Sequence, residues 1–101
     1  PKFELPNGEV YVGGWCRPQT DGPGLTSATL IKFANLLLDN GQDSYVYQNL
    51  WTKDGSKNGG AIKYDLAWVI DHWQEGGCDL WEEVRDANFF WNRMAFAYSL
   101  G

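Results

Sequence analysis

Histidine and methionine occur once each in this 101-residue chain, and cysteine only twice. With His72 as the sole imidazole and Cys16 and Cys78 far apart, a structural zinc site lacks both ligands and spacing. Two cysteines also fall short of the framework of a disulfide-dense domain. Basic residues are scarce too, with 8 Lys and Arg against 13 Asp and Glu and a formal net charge of -5. That balance argues against nucleic acid and against an anionic membrane as partners. No apolar run approaches the ~18 residues needed to span a bilayer. No basic-then-apolar leader opens the chain, which begins at Pro1 as a processed product or a piece of a longer sequence would. The length allows one domain at most, or part of one.

Aromatics, by contrast, are abundant: six Trp, five Tyr and five Phe. Trp15, Trp51, Trp68, Trp73, Trp81 and Trp91 cannot all fill the core of so small a body. Either they pack against the rest of a larger one, or some form walls on which sugar rings stack; Trp15 and Trp81 favour the second reading. Trp68 and Trp73 read as core.

Along the chain, residues 1 to 22 read as loop, with DGPG at 21 to 24 as turn chemistry. Pro23 suits the first turn of a helix capped by Asp21. Leu30, Ala34, Leu37 and Leu38 then recur at helical spacing with Phe33 beside them, up to a stop at Asn40-Gly41. A shorter helix is expected from about Ser44 to Trp51, followed by the polar connection TKDGSKNGG at 52 to 60. In AIKYDLAWVIDHWQEGG, Ile62, Leu66, Val69, Ile70 and Trp73 share one helix face, and Gly76-Gly77 ends the run. Tyr64, Trp68 and His72 make a second stripe, which implies neighbours on two sides. A last helix is expected from near Asp86, through Phe89, Phe90, Met94 and Tyr98, to the end. Strand alternation is absent beyond the first dozen residues. The fold class is all-α: helical hairpins with long loops that carry Gly, Trp and charged residues.

Two such loops stand out, GGWCRPQTDGPG at 13 to 24 and GGCDLWEEV at 76 to 84. In antiparallel hairpins, loops that precede alternate helices emerge at one end, so the two clusters can converge. The carboxylates Asp79, Glu82, Glu83 and Asp86 also have plainer readings. One is a solvated turn with favourable negative charge at a helix start. Another is a calcium loop, although alternate-position spacing and a terminal bidentate glutamate are missing.

GGWCRPQTDGPGL followed by CDLWEEV, with FF soon after, resembles the fungal and yeast glucoamylases, from about Gly13 to the C-terminus. The resemblance implies a toroid of six inner and six outer helices, of which residues 1–101 would be a fragment of a single catalytic domain. It implies an exo-acting, inverting hydrolase that releases glucose from α-glucan chain ends, without metal or cofactor. Matched position by position, Glu82 corresponds to the general acid and Glu83 to a residue that binds sugar on the leaving-group side. Asp79 corresponds to an acidic neighbour that tunes the acid. Trp15 and Trp81 correspond to aromatics near the scissile bond, and Arg17 to a basic residue of the same wall. Gln19 and Asp21 belong to the string as loop-shaping residues.

The chemistry suits these types. Glycoside hydrolysis needs a protonated carboxyl at the leaving oxygen and an ionised one that activates water on the opposite face. Holding a proton on Glu82 near neutral pH requires apolar walls or nearby negative charge, which Trp81, Asp79 and Glu83 would supply. The family's general base and its clamp on the terminal glucose lie outside this chain, so its partners would be the glucan and the remainder of its own catalytic domain, and the chain alone should be inactive. A non-catalytic glucan-binding or scaffold protein is the alternative. The resemblance implies a secreted or vacuolar location. Cys16 replaces a usual glycine and Cys78 a usual aromatic. Two buried free thiols are the expected state, with a Cys16–Cys78 disulfide across the loops as the alternative.

Overall fold

In a computed structural model, residues 2–52, 59–78 and 89–101 are described. The elements run α1 (Asp21–Asp39), α2 (Asp43–Tyr45), a π-helical turn (Val46–Leu50), α3 (Ala61–His72) and α4 (Phe90–Leu100). The all-α class is as expected. The only pairing of extended backbone among the described residues is an isolated antiparallel bridge between Phe3 and Val10.

Helix α1 is the hub, packing against α3 on one side and α4 on another. Its Ala34 joins Val46, Leu50 and Ile62 in a buried cluster, with Leu30, Ile31, Leu37, Leu38 and Leu66 against it. The i, i+4 spacing of these α1 residues aims them at one neighbour. The helix stops as the sequence suggests. Asn40 and Gly41 donate backbone N–H groups to Leu37 and Leu38 (3.1 and 3.0 Å), and Gly41 takes φ +71°. That left-handed conformation is easy for glycine, and it turns the chain back onto the last carbonyls.

The start of α1 differs from expectation by one position. Thr20, not Asp21, precedes the first helical residue, and neither side chain caps the helix. Pro23 does lie in the first turn, where its missing N–H leaves no hydrogen bond unmade.

Helix α3 begins after Gly60, whose φ is +87°. A Cβ at that position would lie 2.7 Å from the carbonyl of Leu50, so the chain from the π-helical turn passes too close for any side chain. The helix ends at His72, short of the Gly76-Gly77 stop expected. Glu75 N–H turns back to His72 O (2.9 Å), and the chain then leaves to meet the 13–20 loop.

The two-sided reading of α3 holds in part. Ile62 and Val69 are buried on one side. On the other, Trp68 stacks on His72 (centroids 4.3 Å apart) and meets Phe96 of α4 edge-on. His72 Nδ1 lies 2.8 Å from Trp68 O, so the imidazole is a packing group. Ile70, Tyr64 and Trp73 are more than half exposed, which corrects the core reading of Trp73. Asp86, expected to cap the last helix, lies outside the described residues; α4 begins at Phe90 after Phe89 in extended backbone.

Candidate active-site loops

The 13–20 loop brings together two of the residues singled out in the sequence. Trp15 and Arg17 line a concavity of about 200 Å³ with Lys2, Pro18 and Gln19. Pockets that hold a whole small ligand run to roughly 300–1,000 Å³, so this concavity is a wall and not a complete pocket. Arg17 Nη2 donates to the carbonyl of Tyr11 at 2.6 Å, anchoring one of the guanidinium's five N–H donors in its own loop. Lys2 is a wall residue that no motif pointed to. Its ammonium lies 4.2 Å from the Trp15 ring centroid and 4.6 Å from that of Tyr11. Thirteen residues from Trp15, it arrives only because the Phe3–Val10 turn folds the N-terminal segment back. Cation–π attraction of this kind holds an indole face in a fixed place.

Behind the wall the loop is fastened to α4. Asp21 accepts a hydrogen bond from Trp91 Nε1 (2.7 Å), and buried Thr20 Oγ1 accepts one from Asn92 Nδ2 (2.6 Å). These bonds explain why neither residue caps α1: their oxygens face another helix.

The second loop meets the first at its opening residues. Cys16 and Cys78 are joined in a disulfide, with Cα atoms 5.9 Å apart and both residues buried. The expectation of two free thiols is therefore corrected. Loops whose cysteines stand 62 positions apart in sequence converge at one end of the helices, and burial here accompanies a bond. Beside it, Cys78 N–H donates to Pro18 O at 2.6 Å. Gly77 packs so closely that a Cβ there would sit 2.8 Å from Thr20 Oγ1 and 3.1 Å from Pro18 O. Asp79, Trp81, Glu82 and Glu83 lie outside the described residues.

A larger concavity, about 760 Å³, lies elsewhere, between α1, the π-helical turn, α3 and the end of α4. Ile31, Leu38, Val46, Trp51, Ile62 and Leu66 line much of it. Lys32, Asn35, Tyr98 and Ser99 line it too, but its apolar part is continuous with the buried cluster, so it reads as an uncovered core face.

The model of glycosyl hydrolases family 15 matches residues 1–100. Glucoamylase-1 of Schizophyllum commune is 41% identical over 90 residues, which are 89% of this chain and 14% of that protein. The glucoamylase of Blastobotrys adeninivorans is 44% identical over 92 residues, again 89% of this chain and 14% of the relative. The intracellular sporulation-specific glucoamylase of Saccharomyces cerevisiae is 37% identical over 93 residues, covering 89% and 16%. The chain thus spans only a small part of the length of these curated relatives. No solved structure matches it significantly. A family match across nearly every residue, carried by an all-α framework, identifies the chain as part of a member of glycosyl hydrolases family 15.

Proposed function

We propose that the protein containing this chain is an exo-acting, inverting α-glucosidase that removes terminal 1,4-linked glucose from starch- or glycogen-type glucans. In this reading the Glu82 carboxyl gives its proton to the bridging oxygen as the glycosidic bond breaks. A carboxylate outside the chain takes a proton from water, which attacks the anomeric carbon from the opposite face. Inversion requires the two carboxyl groups to stand roughly 6.5–9.5 Å apart, leaving room for that water. Glu83 would hold sugar on the leaving-group side, and Asp79 would help to keep Glu82 protonated. Trp15, Trp81 and Arg17 would form the wall, aromatic faces against sugar C–H surfaces and the guanidinium on hydroxyls. The helices would form part of a toroid completed by the rest of the catalytic domain.

One observation carries the reading. The Trp15–Arg17 wall is joined, through Cys16–Cys78 and the Pro18–Cys78 hydrogen bond, to the residue that immediately precedes DLWEE. A disulfide also supports a secreted or vacuolar protein, since thiols stay reduced in the cytosol.

The test is Glu82→Gln in the full-length protein. The amide keeps the shape and cannot act as an acid, so kcat should fall about 10²- to 10⁴-fold. Binding of maltose-type ligands, followed by tryptophan fluorescence, should survive. Retained turnover would exclude Glu82 as the acid. Glucan binding without turnover in the unaltered protein would favour the non-catalytic alternative.

A further inference from the structure

We propose that the Cys16–Cys78 disulfide is a positioning element of the glucan site, holding the Trp15–Arg17 wall to Cys78, the neighbour in sequence of Asp79. The inference rests on the functional reading above and adds to it a role for two residues that touch no substrate. Each cysteine adjoins candidate site residues in sequence: Cys16 lies between Trp15 and Arg17, and Cys78 directly precedes Asp79.

Beside the disulfide, Pro18 O accepts a hydrogen bond from Cys78 N–H, so two ties of the N-terminal segment to the second loop meet at one residue. Between residues 2 and 19, Cys16 is the only buried residue, and Phe3, Leu5, Val10 and Val12 are all more than half exposed. Its hydrogen bonds are largely internal, such as Arg17 to the Tyr11 carbonyl and Tyr11 N–H to Lys2 O. These two shape the segment itself. Side-chain hydrogen bonds to α4 stand at Thr20 and Asp21, three and four positions beyond Arg17. Burial anchors a loop in proportion to the apolar surface it hides, and between residues 2 and 19 Tyr11, Trp15 and Gln19 are partly buried while Cys16 alone is fully so. The fully buried side chain is the one bonded to Cys78.

The bond also sits where small displacements matter. A reacting group misplaced by about 1 Å can lose about a hundredfold in rate. Loss of a link that merely stabilised the fold would lower the melting temperature and leave kcat intact well below it. Loss of a positioning link would lower kcat in protein that is still folded.

The experiment uses the full-length protein in two forms, with Glu82→Gln in parallel. In the first, the folded wild type is treated with dithiothreitol. The disulfide accepts two electrons to give two thiols while the reagent closes to its cyclic disulfide. Mass tagging confirms that Cys16 and Cys78 are the residues released. In the second, both cysteines are replaced (C16S/C78S). At a temperature where circular dichroism shows native helix, kcat is expected to fall about 10- to 100-fold in both forms, with a smaller change in KM. Reoxidation should restore the wild type, and dithiothreitol should have no further effect on C16S/C78S. If the double variant fails to fold, the reduced wild type decides alone. Values of kcat and KM within about twofold of the oxidised protein, with both thiols tagged, would overturn the inference. Turnover retained by Glu82→Gln would instead remove the functional reading, so the two failures are distinguishable.

Discussion

Thr20 and Asp21 show how a single side chain can be drawn away from its local role. Both are types that cap helices, and both stand at the start of α1. Yet their oxygens accept hydrogen bonds from Asn92 and Trp91 of α4. The tertiary bond wins because Thr20 is buried, and leaving the Asn92 amide without a partner there would cost about 1–3 kcal/mol, more than most caps contribute. Asp65 is the opposite case, a carboxyl that burial works against. Partial desolvation on α3 raises its pKa above the usual aspartate value. In the window just above that ordinary value the folded state therefore holds more protons than the unfolded one. Stability contributed by the neutral form is present at low pH and lost as pH rises through the folded-state pKa. Asp65→Asn, which cannot ionise, should match the wild type near pH 3 and be the more stable protein at pH 7. Thermal melts of the full-length protein at the two pH values check this, and an equal difference at both would show that ionisation is not the cause. The effect should be small, because the group is only half-buried.

At the scale of elements, the sequence disclosed what periodicity and glycine control. The α1 stripe, its Asn40-Gly41 stop and the buried side of α3 follow from local spacing, and they appear where spacing puts them. Gly76 and Gly77 resemble a helix stop, yet α3 ends at His72 and Gly77 serves a close approach to Thr20 and Pro18 that only the folded chain reveals. The redox state of Cys16 and Cys78 was illegible for a similar reason: it depends on whether distant loops meet. Trp15 and Arg17, which share a string, line one concavity, and Lys2 lines it with them although it belongs to no motif.

The junction of α1 and α4 gives a further element-scale test. A Cβ on Gly24 would lie 2.9 Å from Ala95 O and 3.1 Å from its carbonyl carbon, neither of which can rotate away. Gly24→Ala gains up to about 1 kcal/mol of helix propensity. It should nevertheless destabilise the protein by up to about 2 kcal/mol, because overpacking costs about 1–3 kcal/mol. Denaturant unfolding measures the difference, and a stabilised variant would mean that the two helices part at no cost.

At the scale of the whole molecule, these helices do not close on themselves. The radius of gyration is 15.4 Å, against about 13 Å for a compact chain of this length. The accessible surface is 7124 Å², where size scaling gives about 5,800 Å². The excess is apolar in part: Leu36, Ile70, Phe90 and Tyr98 are each more than half exposed, and the groove beside the buried cluster stays open. A body with so much uncovered apolar surface needs further packing, and we read the remainder of the catalytic domain as what provides it. The 101 residues expressed alone should therefore bind 8-anilinonaphthalene-1-sulfonate strongly and melt without a sharp transition. They should also release no glucose from maltooligosaccharides, because the carboxylate that activates water is expected outside the chain. Weak dye binding with one cooperative melt would show that the helices bury their own faces. Glucose release would show that a water-activating carboxylate lies among the acids of this chain.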